Sequence, residues 1–171
     1  MKVKTIKVGM LQTNCYVLVD DQTQEAVVID PGDEAEKILP ELNGLKIKMI
    51  LLTHGHYDHV GALKEILKFT GAPLRQDEDP ITFGQETLTV IKTPGHTSDG
   101  VCFYSKKHNY FFAGDTLFYG THGRTDLPTS SPREMVLSLR RLADLPDETR
   151  VFPGHDKPTT IKQEKEFGTI G

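Results

Sequence analysis

Cysteine is nearly missing from the 171-residue chain: Cys15 and Cys102 are the two present, far apart and matching no metal-binding or redox spacing. Each sits in an apolar, strand-like stretch (NCYVLV and GVCFY), so buried reduced thiols are expected rather than a disulfide or a catalytic thiol. No apolar run approaches the roughly 20 residues that span a bilayer. Lys2, Lys4 and Lys7 interrupt any apolar core at the start, so neither a membrane association nor a signal peptide is expected. A basic excess is absent as well. The net charge of −4 and a pI near 6.0 give no electrostatic reason to expect nucleic acid as a partner. The adjacent pairs Lys106 with Lys107 and Arg140 with Arg141 read as solvated surface. Linkers, repeats and low-complexity tracts are missing too, and so are a G-x-S-x-G nucleophile motif and a phosphate-cradling P-loop. One cytoplasmic domain over residues 1–171 is the expectation.

What is present is a regular alternation of strands and helices, which places the chain in the α/β class. Strands are expected at 3–8, 14–19, 26–30, 47–53, 87–93, 100–104, 110–113 and 150–152, rich in Val, Ile, Phe and Tyr. Helices are expected at 34–42, 60–69 and 132–143, with a short charged one at 162–167. The second puts Val60, Leu63, Ile66 and Leu67 on one face and has Gly71 as its stop. The third starts from Ser131 as cap with Pro132 in its first turn, and repeats Met135, Leu139 and Leu142.

The chemistry concentrates in six residues. His54-Gly55-His56-Tyr57-Asp58-His59 follows the apolar strand MILLT and holds three imidazoles and a carboxylate. So many metal-capable groups would be expensive in a core without a cation, and these ligand types suit zinc and iron. A polar turn that happens to be rich in histidine is the bland alternative. Three further residues recur in a similar setting: His96 after Pro94-Gly95, Asp115 after Gly114, and His155 after Pro153-Gly154. Each lies just beyond a strand's carboxyl end, where open α/β sheets place ligands. Alone, His96 or His155 would more often be structural. Beside the first cluster they read as ligands.

THGHYDH followed by PGHT, GDTLF and PGHD resembles the metallo-β-lactamase superfamily along nearly the whole chain. Within it, GDTLF followed by Gly123-Arg124-Thr125-Asp126, together with Thr13-Asn14-Cys15-Tyr16 and Asp30-Pro31-Gly32, is similar to the glyoxalase II (hydroxyacylglutathione hydrolase) branch. The resemblance implies an αββα sandwich of two mixed sheets flanked by helices. It implies two divalent metal ions, zinc first and iron or manganese as alternatives. His54, His56 and His96 would bind one ion, Asp58, His59 and His155 the other, and Asp115 both. Asp58 and Asp115 would be the catalytic carboxylates. Two cations about 3.5–4 Å apart lower the pKa of a shared water to about 7, which supplies a bridging hydroxide as nucleophile. Two carboxylates and one hydroxide leave about +1 on two dications, an electrophilic site suited to a small-molecule thioester of the S-acylglutathione type.

Arg124 is then a candidate anion clamp for the glutathione moiety, with an internal salt bridge to Asp126 as the alternative. Tyr57 and His122 are candidate substrate contacts, against packing and solvated-loop roles. Asp30 is expected to stabilise a turn or support a ligand rather than bind metal. His108 reads as a hairpin turn residue. Asp156 stands where glyoxalase II commonly has glycine. The 16 residues from 156 to 171 are too few for the helical domain that follows the last histidine in glyoxalase II, so a more open site is expected.

Other readings remain at this stage. Persulfide dioxygenases share the scaffold and use one Fe(II), here on His54, His96 and Asp115. A nuclease of the same superfamily is disfavoured by the acidic pI. Lactonase or β-lactamase activity fits the same residues. A metal-stabilised binding protein without turnover would show a coordinatively closed site.

Overall fold

The computed structural model describes residues 1–76 and 80–171. Contacts divide the chain into two compact units, Met1–Leu88 and Thr89–Gly171. The first carries a mixed sheet of β1 (Lys2–Val8), β2 (Thr13–Val19), β3 (Glu25–Ile29), β4 (Lys46–Leu51) and β5 (Leu74–Arg75) in that spatial order. The first two pairings are antiparallel and the last two parallel. β1 forms one edge, and Lys2, Lys4 and Lys7 along it discourage pairing with another chain. The core of this unit joins Val17, Val28, Ile38, Ile50 and Ile66.

Helix α1 (Ala35–Ile38) runs into a 3-10 turn at Leu39–Leu42, because Pro40 has no N–H to continue an α-helical ladder. The single helix expected at 60–69 is two helices, α2 (Tyr57–Val60) and α3 (Leu63–Thr70). The break has a cause. The Ala62 N–H donates to the Pro31 carbonyl at 3.0 Å instead of continuing the helix. A side chain at Gly61 would fall on the Gly32 carbonyl, so the 31–33 loop packs directly on the helix backbone. Asp58 and His59 therefore lie in α2 itself and not ahead of a helix.

The first unit ends with β6 (Ile81–Phe83), which pairs with the first half of β7 (Glu86–Lys92). The second unit also has a mixed sheet, in which β7 from Thr89 onward pairs with β8 (Val101–Ser105). β9 (Tyr110–Gly114), β12 (Arg150–Pro153) and β13 (Thr159–Thr160) continue that sheet, while β10 (Leu117–Phe118) and β11 (Thr121–His122) make a small hairpin. α4 (Pro132–Leu142) starts as expected, with the Ser131 side chain accepting from the Glu134 N–H, and α5 (Ile161–Phe167) follows β13. Phe111, Leu117, Met135, Leu139, Val151 and Ile161 form its core. The eight strands expected from sequence are all present, with ends shifted by a residue or two. The missed ones, β5, β6, β10, β11 and β13, have two or three residues each, too few to show a period.

Mixed sheets with helices put the chain in the α/β class. His108 lies in the β8–β9 turn, and Cys15 and Cys102 are buried without a disulfide. Burial pushes the Cys15 thiol far up, with the Asp30 charge adding to it. Among the described residues, no helix is long and apolar enough to cross a membrane. Phe111→Ala empties a fully buried site and is expected to lower stability by about 3–5 kcal/mol. Loss of the cap in Ser131→Ala is expected to lower it by about 1 kcal/mol, both read from urea unfolding.

Candidate metal centre

Strand direction decides where the polar residues of each unit collect. In the first, β3 and β4 run parallel, so their carboxyl ends lie side by side and Asp30 meets Thr53. The Asp30 carboxylate accepts from the Thr53 N–H at 2.8 Å and from its hydroxyl at 2.6 Å. It also accepts from His59 Nδ1 at 3.0 Å. Since a carboxylate only accepts, His59 carries a proton on Nδ1, and in the neutral ring Nε2 then presents a lone pair. That lone pair faces Asp58 Oδ2 at 3.5 Å, while the Thr13 hydroxyl donates to the same oxygen at 3.0 Å.

His54 is prepared in the same way. The Thr53 hydroxyl gives its hydrogen to Asp30, so at 3.0 Å it accepts from His54 Nδ1 and leaves a lone pair on His54 Nε2. That nitrogen lies 3.1 Å from His56 Nδ1. The His54 and His59 rings are 4.2 Å apart between centroids, and their ligand atoms lie within 4.8 Å of each other, as do those of Asp58 and His59.

The second unit repeats the device. β7 and β9 are both antiparallel to β8, and β12 is parallel to β9, so three strands end on one edge. His96, Asp115 and His155 follow those ends. The Gly154 N–H donates to the Gly114 carbonyl at 2.7 Å, which fixes His155 beside Asp115. His96 Nδ1 donates to the Arg124 carbonyl at 2.9 Å, so its Nε2 lone pair faces Asp115 Oδ2 at 3.4 Å. His155 Nε2 lies 3.5 Å from the same oxygen. A side chain at Gly123 would strike the Asp115 carbonyl, so only glycine lets this loop reach the His96 ring. The Ser130 hydroxyl donates to the His96 carbonyl at 2.7 Å and the Ser131 N–H to the Gly95 carbonyl at 2.8 Å.

Lone pairs pointed at carboxylate oxygens repel unless a positive charge lies between them. Protonating every ring would crowd imidazolium charges, as the His54–His59 spacing shows. A divalent cation satisfies the same atoms without that repulsion, and neutral imidazoles oriented through Nδ1 are the usual form of histidine ligands. The donor set therefore fits metal ions.

The remaining candidates divide. Asp30 has the supporting role expected of it, in a left-handed backbone conformation (φ +50°). Asp156 also has a positive φ of +66°, the region that suits glycine, which Asp tolerates. Arg124 makes the internal pair: Nε and Nη2 donate to the Asp126 carboxylate at 2.7 and 2.8 Å. That bond holds the Asp126 carboxyl down at about 2, so the pair is ionised at neutral pH although 62% and 68% exposed. Tyr57 is exposed beside Asp58. His122 donates to the Gly123 carbonyl at 2.8 Å and lines a cavity with Val136, Arg140 and Phe167. Thr13, Thr53 and Ser130 were missed as supports. Thr53 and Thr13 stand within the quoted motifs, but hydroxyls carry no spacing signal.

A family model described as the Metallo-beta-lactamase superfamily matches residues 8–76 and 72–155. An uncharacterized protein of Aquifex aeolicus is 37% identical, with 98% of this chain and 95% of that protein covered. Hydroxyacylglutathione hydrolase GloC of Haemophilus influenzae is 30% identical, with 96% and 95% covered. Among solved structures, BLEG-1 B3 metallo-beta-lactamase aligns with a TM-score of 0.90 at 32% identity, covering 96% of this chain and 97% of that one. TTHA1623 in a di-iron-bound form gives 0.88 at 35%, covering 96% and 98%. ETHE1 from Myxococcus xanthus gives 0.89 at 30%, covering 98% and 83%.

Asp30→Asn tests the preparation of His59. With the amide nitrogen in place of Oδ2 only the bond from the Thr53 N–H survives unchanged, the Thr53 hydroxyl has to accept instead of donate, and an N–H facing Nδ1 moves the His59 ring proton to Nε2. Metal affinity is expected to fall about 10–100-fold, read by competition with a chelator. The His59 tautomer should change in the nitrogen NMR spectrum of the metal-free protein, while the fold persists.

Proposed function

The chain belongs to the metallo-beta-lactamase superfamily, and on that premise we propose that it is a binuclear metal-dependent hydrolase of S-acylglutathione-type thioesters. The observation that carries this reading is the orientation of His54, His59 and His96, each with Nδ1 engaged by an acceptor, which in the neutral ring leaves Nε2 as the nitrogen that can bind metal. The similarity to a relative named hydroxyacylglutathione hydrolase supports the substrate class.

His54, His56, Asp58, His59, His96, Asp115 and His155 would hold two ions, zinc first, with iron or manganese as alternatives. When bound, such a pair supplies Lewis acidity toward the thioester carbonyl and acidifies a shared water toward neutrality. The protein's own contribution is positioning. Asp58 and Asp115 bring the negative charge that keeps dications in place, and Asp30, Thr53 and the Arg124 carbonyl hold the imidazoles in register. A thiolate departs as a stable anion, so the reaction needs no proton donor at the leaving group. Arg124 spends two N–H groups on Asp126 and has three others to offer a glutathione carboxylate, so the salt bridge and the clamp coexist. Tyr57 and His122 are proposed as further substrate contacts.

Metal analysis of the reconstituted protein is expected to give about two ions per chain, and Asp115→Ala to lose both ions and activity. A fully metallated, active Asp115→Ala protein would contradict the reading. One iron per chain, with sulfur-dependent oxygen uptake in place of thioester hydrolysis, would replace it by a persulfide dioxygenase.

Chelation is expected to lower the melting temperature by several degrees, since bound metal stabilises only the folded state. The circular dichroism spectrum should persist because each unit has its own apolar core. Arg124→Ala is expected to raise KM for a glutathione thioester by the equivalent of about 1–3 kcal/mol with kcat nearly unchanged, as for a contact made equally in ground and transition states. A fall in kcat for every thioester, with lost stability, would make the Asp126 bridge its whole role.

A further inference from the structure

The β1–β2 turn, residues 9–12, borders a cavity of about 220 Å³ that also touches Thr13, Asp33, Tyr57 and Asp58. Met10 is 96% exposed, Tyr57 74% and Leu11 51%. Of the five exposed large apolar side chains among the described residues of the first unit, these three gather at this one cavity, and Phe69 and Leu74 lie elsewhere. Clustering of this kind marks a surface made to be covered.

The turn is braced, so its exposure is not slackness. The Gly9 N–H donates to Glu34 Oε2 at 2.8 Å, and Lys37 holds the same oxygen at 2.6 Å. Gln12 donates to the Gly9 carbonyl from its backbone at 3.2 Å and from its side chain at 2.9 Å. Met10 and Leu11 are thereby held out in water beside Asp58, which the proposed function makes a metal ligand.

The charge of the lining narrows what fits. Its ionisable groups beyond Tyr57 are two carboxylates, Asp33 and Asp58, so the lining supplies no basic group to balance the charge of a glutathione moiety or another anion. A neutral apolar group next to the reacting carbonyl meets no such penalty. We propose that this cavity is an acyl subsite, and that Met10, Leu11 and Tyr57 select thioesters whose acyl group is apolar and uncharged. The inference rests on the hydrolase reading. The volume equals that of roughly seven water molecules at about 30 Å³ each, enough for a short acyl chain.

The test is a series of acetyl, butyryl and hexanoyl glutathione thioesters with the metal-loaded protein. Full burial would raise kcat/KM roughly fourfold per methylene, so partial burial should still put hexanoyl about tenfold or more above acetyl. In Met10→Ser/Leu11→Ser the hexanoyl-to-acetyl ratio should drop below about threefold. A flat series in the native protein, or a ratio unmoved by the double variant, overturns the proposal. A second readout does not depend on turnover. With methyl-labelled methionine, the Met10 resonance, assigned through Met10→Leu, should shift on titration with hexanamide and stay put with acetamide. That shift without hydrolysis of any thioester would keep the apolar subsite and discard the thioesterase reading. No shift would discard the subsite whatever the activity.

Discussion

An imidazole can bind a metal only through a nitrogen without a proton, and a protein enforces this by giving the other nitrogen an acceptor to bond. Much of the polar structure around the candidate site serves that constraint. Asp30 fixes His59, and through the Thr53 hydroxyl it fixes His54. The Arg124 carbonyl fixes His96. The same idea therefore appears in each unit with different atoms: a side-chain carboxylate in the first, a backbone carbonyl in the second. Left-handed backbone at Asp30 and the glycine at 123 are the local strain and shape that this arrangement requires.

Acceptors can be delivered to the right place because strands that run the same way end at the same edge. β3 with β4, and β7 with β9 and β12, bring together residues distant in the chain. Those edges are then tied down. Pro31 takes the Ala62 N–H and splits the helix after α2, so Asp58 and His59 sit on a short, anchored turn. Ser130, Ser131 and the close approach of Gly95 to Met135 tie the His96 loop to α4. Packing and site geometry are thus set by the same contacts.

The exposed side chains of the two units differ in kind. Arg124 with Asp126 is charged and solvated, whereas Met10, Leu11 and Tyr57 are apolar and open to water. An ester of a polar thiol and an apolar acid, the substrate class proposed above, has the same two-sided character.

The residues by themselves determined the α/β class, the eight longer strands, the cap of α4 and the metal-ligand chemistry of the THGHYDH cluster, because periodicity, capping and ligand spacing are local properties of a chain. Asp30 could be read as a support from its place before Pro31-Gly32. Sequence alone did not reveal that Thr13 bonds Asp58, that Thr53 links Asp30 to His54, or that a backbone carbonyl of residue 124 orients His96. Hydroxyls and carbonyls occur everywhere, and only the paired strand ends select which of them meet a ring nitrogen. The division of the expected 60–69 helix belongs to the same class, since it is decided by the Pro31 carbonyl, some thirty residues earlier in the chain. So does the bridge at Arg124. Both an anion clamp and a bridge to Asp126 were legible, and the fold made the bridge by bringing two neighbouring side chains into a bidentate geometry that spacing permits but does not require.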